Sequence, residues 1–131
     1  MPHRILLVDD EPELLRALLV RLTAAGFACE TASNGREAFE HMAKQLPDLI
    51  IVDLLMPEVS GYEVCRRLKE DERTAGIPVI VLTAVPERTV ASTAEWLGVS
   101  SVLHKPFDSS ILVSTVRSLL KLPPTEGPSN G

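Results

Sequence analysis

Five times along the chain a short β-like run is followed by a stretch of helical periodicity, and that alternation leaves few folds open. The strand candidates are Arg4–Val8, Ala28–Ala32, Leu49–Val52, Val79–Leu82 and Val102–His104. Three of them, Ile5-Leu-Leu-Val8, Leu49-Ile-Ile-Val52 and Val79-Ile-Val-Leu82, are unbroken apolar runs. Such runs suit parallel strands covered on both faces. The second strand is more polar and is expected at an edge. Helices are expected at about Pro12–Ala25, from Asn34, from Ser60, at about Glu87–Leu97 and from Asp108. Gly26 stands where a helix C′ residue belongs, and Asn34-Gly-Arg-Glu37 and Ser60-Gly-Tyr-Glu63 read as capping boxes. Short βα connections imply right-handed crossovers, hence an α/β fold: a doubly wound, five-stranded parallel sheet with helices on both faces. Ligands of such folds bind beyond the carboxyl ends of the strands.

The length of 131 residues fits one such domain, expected over residues 1–122, with the Pro/Gly-rich stretch 123–131 as a tail or the start of a linker. The tail mildly favours excision from a longer chain over a stand-alone domain. Eighteen acidic against 13 basic residues give a net charge of −5, which argues against a non-specific nucleic-acid binder or a basic membrane-surface protein. No apolar run approaches the ~18–20 residues of a membrane span, and the first residues lack a signal-peptide core, so a cytoplasmic protein is expected. Cys29 and Cys65 form no CxxC and read as reduced, partly buried thiols.

The strand ends hold the chemistry. The first strand ends in Asp9-Asp10-Glu11, the third in Asp53, the fourth in Thr83-Ala84 and the fifth in His104-Lys105-Pro106. An isolated Asp after a strand is usually a cap or a turn former. Three carboxylates gathered on one edge repel one another and call for a cation. Their oxygen chemistry fits Mg²⁺, commonly held by one or two carboxylates together with phosphate oxygens. A hydroxyl at Thr83 and an ammonium at Lys105 suit phosphate oxygens, and a remaining carboxylate can act as a nucleophile and form an acyl phosphate.

Four motifs in order, Val8-Asp9-Asp10, Val52-Asp53-Leu-Leu-Met56-Pro57-x-x-x-Gly61, Thr83-Ala84 and Lys105-Pro106-Phe107, resemble the receiver domain of two-component response regulators, similar to the small chemotaxis regulator. The resemblance covers about residues 4–121 and implies a flavodoxin-like (βα)5 fold. It implies Asp53 as phosphoacceptor, with Asp10, Asp53 and the Leu55 carbonyl holding Mg²⁺ and Asp9 acting mainly through water. Thr83, Lys105 and the N–H groups of Leu54 and Ala84 would contact the phosphoryl group, and the Lys105–Pro106 bond would be cis. The implied partners are a histidine kinase or histidine phosphotransfer protein and a downstream effector. A homodimer would form through the fourth helix, fifth strand and fifth helix, and direct contact with nucleic acid or membrane is not expected. Gly61 fits the turn before the third helix, and equally a flexible first helical residue.

The sequence also departs from the family pattern. The switch pair is expected to be Thr83 and the residue three before the lysine, an aromatic in the family and Val102 here, so coupling through that side chain should be weak. Leu55 and Val85 are apolar, cannot hydrogen-bond an attacking water, and predict slow loss of the phosphoryl group. In the first helix Leu14, Leu18 and Leu22 are expected inward. Leu15 and Leu19 are then left at an exposed edge near Pro106, where they serve kinase docking or simply widen the core stripe. The expected function is a phosphorylation-dependent signalling switch rather than an enzyme. Its rivals are a phosphorylation-independent pseudo-receiver, a haloacid-dehalogenase-type phosphatase, which lacks its second acid because Leu55 stands there, and a flavin binder, which lacks a phosphate-cradling loop.

Overall fold

The computed structural model describes residues 2–56, 58–84 and 98–123. In chain order these form β1 (Arg4–Val8), α1 (Pro12–Ala24), β2 (Ala28–Ala32), α2 (Gly35–Lys44), β3 (Leu49–Asp53), α3 (Gly61–Glu70), β4 (Val79–Thr83), β5 (Ser101–His104) and α4 (Ser109–Leu119). The helix expected at Glu87–Leu97, Pro57, Val85 and the tail from Pro124 lie outside the described residues. The strands form one sheet, β2-β1-β3-β4-β5, with every pairing parallel. The polar β2 is at an edge, and β3, buried at all five positions, is central. No described helix is long and apolar enough to cross a membrane.

Alternation along the strands divides the interior. Leu6, Val8, Ile50, Val52, Val79 and Val81 point toward α2 and α3, where Ala38, Met42, Val64, Cys65 and Leu68 meet them. Ile5, Leu7, Leu49, Ile51, Ile80 and Leu82 point the other way, onto Leu15, Leu18 and Leu22 of α1 and Leu112, Val113 and Val116 of α4. Each large apolar side chain so enclosed contributes roughly 1.5–3 kcal/mol. The expectation for α1 needs correcting here. Leu15 is only 8% exposed and belongs to this core, while Leu14 and Leu19 are half-buried at its margins. Because α1 packs on both the sheet and α4, the inward line is Leu15, Leu18, Leu22.

The helix ends follow local chemistry. Asn34 Oδ1 accepts the Glu37 N–H at 2.9 Å, and Glu37 Oε1 accepts the N–H of Ser33 at 2.8 Å. Ser60 Oγ accepts the Glu63 N–H at 3.3 Å, but the Glu63 carboxylate turns outward to Arg66 and Arg67, so only half of that expected box forms. At the end of α1, Gly26 adopts φ 100°, with Phe27 N–H on the Leu22 carbonyl and Gly26 N–H on Thr23, a Schellman arrangement. α4 ends the same way without glycine. Lys121 takes φ 59°, Leu122 N–H donates to the Arg117 carbonyl, and Lys121 N–H donates to Ser118. Leu122 packs onto the core, and Arg117 Nε donates to the Pro123 carbonyl at 2.7 Å.

Candidate functional site

β1, β3 and β4 end in register steps of one residue at the same carboxyl edge, Val8 opposite Val52 and Asp53 opposite Leu82, and Lys105 follows the end of β5. Asp9 is 2% exposed, Asp53 5% and Thr83 0%, a concentration of buried polar groups that packing alone does not favour. Ligand oxygens of Asp9, Asp10 and Asp53 lie within 4.8 Å of one another, with Asp10 exposed at the rim. The Lys105 ammonium bridges the gathering: Nζ lies 3.1 Å from Asp9 Oδ2, 3.2 Å from Asp53 Oδ2 and 2.6 Å from Glu11 Oε1. Backbone groups aim the carboxylates. Asp9 Oδ1 accepts the Glu11 N–H at 2.9 Å, and Asp53 Oδ1 accepts the Leu55 N–H at 3.2 Å. The Leu54 N–H is directed at the Leu82 carbonyl at 3.4 Å.

Charge is balanced differently on the two sides of the Asp9–Lys105 pair. Burial pushes the Asp9 carboxyl above its ordinary value, and the charge on Asp53 adds to this. The Glu11 N–H and Lys105 oppose the rise without cancelling it. Burial also disfavours the Lys105 ammonium, but Glu11, Asp9 and Asp53 outweigh it and hold the lysine above its ordinary value. The lysine side chain is 17% exposed against 2% for Asp9, so water pays part of its solvation. The cluster therefore carries more negative charge than its own lysine relieves. An all-oxygen donor set of this kind fits a hard divalent cation such as Mg²⁺.

The surrounding backbone is tight. A Cβ at Gly61 would overlap the carbonyl oxygen of Asp53 and stand 2.6 Å from Leu54 Cα, while Gly61 N–H donates to the Leu54 carbonyl at 2.9 Å. Neither expected reading of Gly61, a turn residue or a flexible first helical residue, names this constraint: it is the close approach of the Asp53–Leu54 backbone that leaves no room for a Cβ. The bond between Lys105 and Pro106 is cis, and Lys105 N–H donates to the Thr83 carbonyl at 2.8 Å. Thr83 and His104 are register partners, and Val102, opposite Val81, packs half-buried against the α2/α3 side of the core. Beside the cluster runs a groove of about 840 Å³ between α1 and the loop after β5. Leu14, Ala17, Leu18, Val20, Pro106 and Phe107 supply its apolar lining. Of the three residues expected at a docking surface, Pro106 lines this groove and Leu15 and Leu19 do not. Glu11 in contact with Lys105 is a site residue that sequence reasoning passed over, since it reads as one more acid before a helix.

The family profile described as "Response regulator receiver domain" matches residues 5–117. The chain belongs to the response-regulator receiver family. It is 40% identical over 121 residues to Response regulator PleD of Caulobacter vibrioides, covering 92% of this chain and 27% of that protein. It is likewise 40% identical over 119 residues to the DNA-binding dual master transcriptional regulator RpaA of Synechocystis, covering 90% of this chain and 49% of the relative. The receiver thus spans about a quarter to a half of the length of these curated relatives. Among solved structures, a protein described as a response regulator from Chloroflexus aurantiacus superposes with TM-score 0.88 at 33% identity, covering 92% of this chain and 99% of that one. Receiver domains are generally signalling switches that bind Mg²⁺ at an acidic pocket, and Asp9, Asp10 and Asp53 gather here as a cluster with the spacing to hold a metal ion.

Proposed function

We propose that the chain is a phosphorylation-dependent switch whose phosphoacceptor is Asp53. The observation that carries this reading is the buried Asp53 carboxylate at the end of the central strand, 3.2 Å from the Lys105 ammonium and within 4.8 Å of the Asp9 and Asp10 oxygens. An Asp53 oxygen attacks the phosphorus of a phosphohistidine on a kinase or phosphotransfer protein. The N–P bond breaks with its electron pair leaving on the imidazole nitrogen, and the new O–P bond makes an acyl phosphate. Asp9, Asp10, Asp53 and the Leu55 carbonyl would hold Mg²⁺, which when bound neutralises charge on the phosphoryl oxygens. Lys105 places a positive charge on those oxygens, and Thr83 supplies a hydroxyl donor to them. Position and electrostatics are most of what such a transfer needs.

The groove along α1 suits the donor protein. Its apolar lining begins beside Lys105, so a helix laid in it would bring a phosphohistidine to Asp53. Leu14, Ala17 and Val20 take the docking role in this reading. The response would leave through Thr83, with Val102 a weak lever because it offers neither ring nor hydroxyl. Leu55, 54% exposed beside the site, shields the acyl phosphate from water, and Leu55→Asn should shorten its lifetime. Effector contact and any homodimer are assigned to β5 and α4, together with the helix expected at Glu87–Leu97, which lies outside the described residues.

The test is incubation with acetyl phosphate and Mg²⁺ followed by intact mass. Wild type should gain about 80 Da, one phosphoryl group, and Asp53→Asn should not. A wild type that stays unlabelled, also with a phosphohistidine donor, would leave the partner-binding pseudo-receiver as the better account.

A further inference from the structure

The Lys105 ammonium has three N–H bonds to give, and three different carboxylates take them. An incoming phosphoryl oxygen can reach this donor only if one of the three lets go. Asp9 and Asp53 are poor candidates, since their side chains are 2% and 7% exposed and each is aimed by a backbone N–H. Glu11 differs on every count. Its side chain is 59% exposed, it makes no capping bond to α1, and among the described residues only Lys105 bonds its carboxylate. Yet at 2.6 Å it is the shortest of the three contacts.

We propose that Glu11 is a positioning residue for phosphoryl acceptance, occupying in the resting protein the Lys105 donor that the phosphoryl group must take over. The proposal rests on the reading of Asp53 as phosphoacceptor. Acceptance then includes an exchange, in which the Glu11 carboxylate swings into water as a phosphoryl oxygen replaces it on Nζ. Glu11 thereby slows phosphorylation by donors that do not displace it. Exposed ion pairs of this kind set a modest scale, about a 2–5-fold change in rate.

The experiment measures initial rates of phosphoryl labelling by intact mass over a series of acetyl phosphate concentrations with Mg²⁺. Wild type is compared with Glu11→Gln, Glu11→Asp and Glu13→Gln. Glu11→Gln removes the charge, and Glu11→Asp keeps it but shortens the side chain so that it no longer reaches Lys105. Glu13→Gln removes an exposed charge from the same first turn of α1, where Lys105 is not its partner. The expected result is labelling about 2–5-fold faster in both Glu11 variants, carried by the maximal rate, and Glu13→Gln equal to wild type. Structural damage would slow labelling, so a gain cannot come from it. Glu11→Gln at or below the wild-type rate overturns the proposal. So does Glu11→Asp matching wild type, or Glu13→Gln matching Glu11→Gln, because either would reduce the effect to overall charge. A wild type that takes no phosphoryl group overturns the functional reading itself, and the exchange with it.

Discussion

Gly61→Ala puts the tightness of the site to a quantitative test. The added methyl would overlap the Asp53 carbonyl oxygen and meet Leu54 Cα at 2.6 Å, with Asp53 C at 2.7 Å. Restoring Leu54 Cα to the 3.4 Å at which ordinary contact begins requires a displacement of 0.8 Å. The three nearest atoms are all backbone, and β3 is paired on both sides, so the closest clash is not with a flexible side chain that could swing away. Overpacking of this kind costs about 3 kcal/mol. At about 4 °C per kcal/mol for a domain of this size, the melting temperature should fall by about 12 °C. The displaced atoms carry Asp53, and misplacing a reacting group by about 1 Å costs on the order of 100-fold in rate. Thermal denaturation by circular dichroism and acetyl phosphate labelling below the transition read the two effects separately. Gly76→Ala is the control, because a Cβ there meets nothing within 4 Å. A Gly61→Ala protein that melts within 1–2 °C of wild type, roughly the error of such a scan, would refute the close-approach argument.

Mg²⁺ at about 100 times its dissociation constant should add about 2.7 kcal/mol of stability, lost on chelation and largely absent in Asp10→Asn, as read by thermal shift. Ala17→Gln, which puts a larger, uncharged polar side chain into the apolar groove, should lower transfer from a phosphohistidine donor by about 10-fold while labelling by acetyl phosphate stays unchanged. Burial pushes the Cys65 thiol up to about 11, whereas an ordinary thiol ionises near 9.0. The unfolded chain therefore loses this proton first, and stability should fall as pH rises from about 9 toward 11, by up to about 1.4 kcal/mol per pH unit. Denaturant melts across that range should show the fall in wild type and a shallower one in Cys65→Ala.

Most of the framework was legible because apolar runs and turn residues carry it. β1 and β2 match their expected spans, and β3, β4 and β5 differ by one residue each. Asp53 and Thr83 extend β3 and β4 because their backbones still pair, which a hydropathy run ending one residue earlier does not register. The carboxylate cluster could be read from strand ends alone, since parallel strands of equal length end at one edge. Leu15 was placed wrongly because periodicity fixes the width of a helix stripe but not which margin a second helix covers, and α4 covers that of Leu15. Glu11 was missed because its role depends on a lysine 94 residues away, and sequence spacing holds no trace of that contact. The half-formed box at Ser60 shows the same limit, as Arg66 and Arg67 compete for Glu63 more effectively than a backbone amide does.

The clamp at the end of α4 bears on how movement leaves the domain. Leu122, half-buried, packs against the core and Pro123 is tethered by Arg117, so the final turn of the helix is held at both points. A rotation or slide of α4 would carry Pro123 with it as a crank carries its pin. A fluorophore or fused protein attached just beyond Pro123 would report helix motion directly, whereas the same attachment with Leu122→Ser would ride on a loosened joint and report mostly its own tumbling.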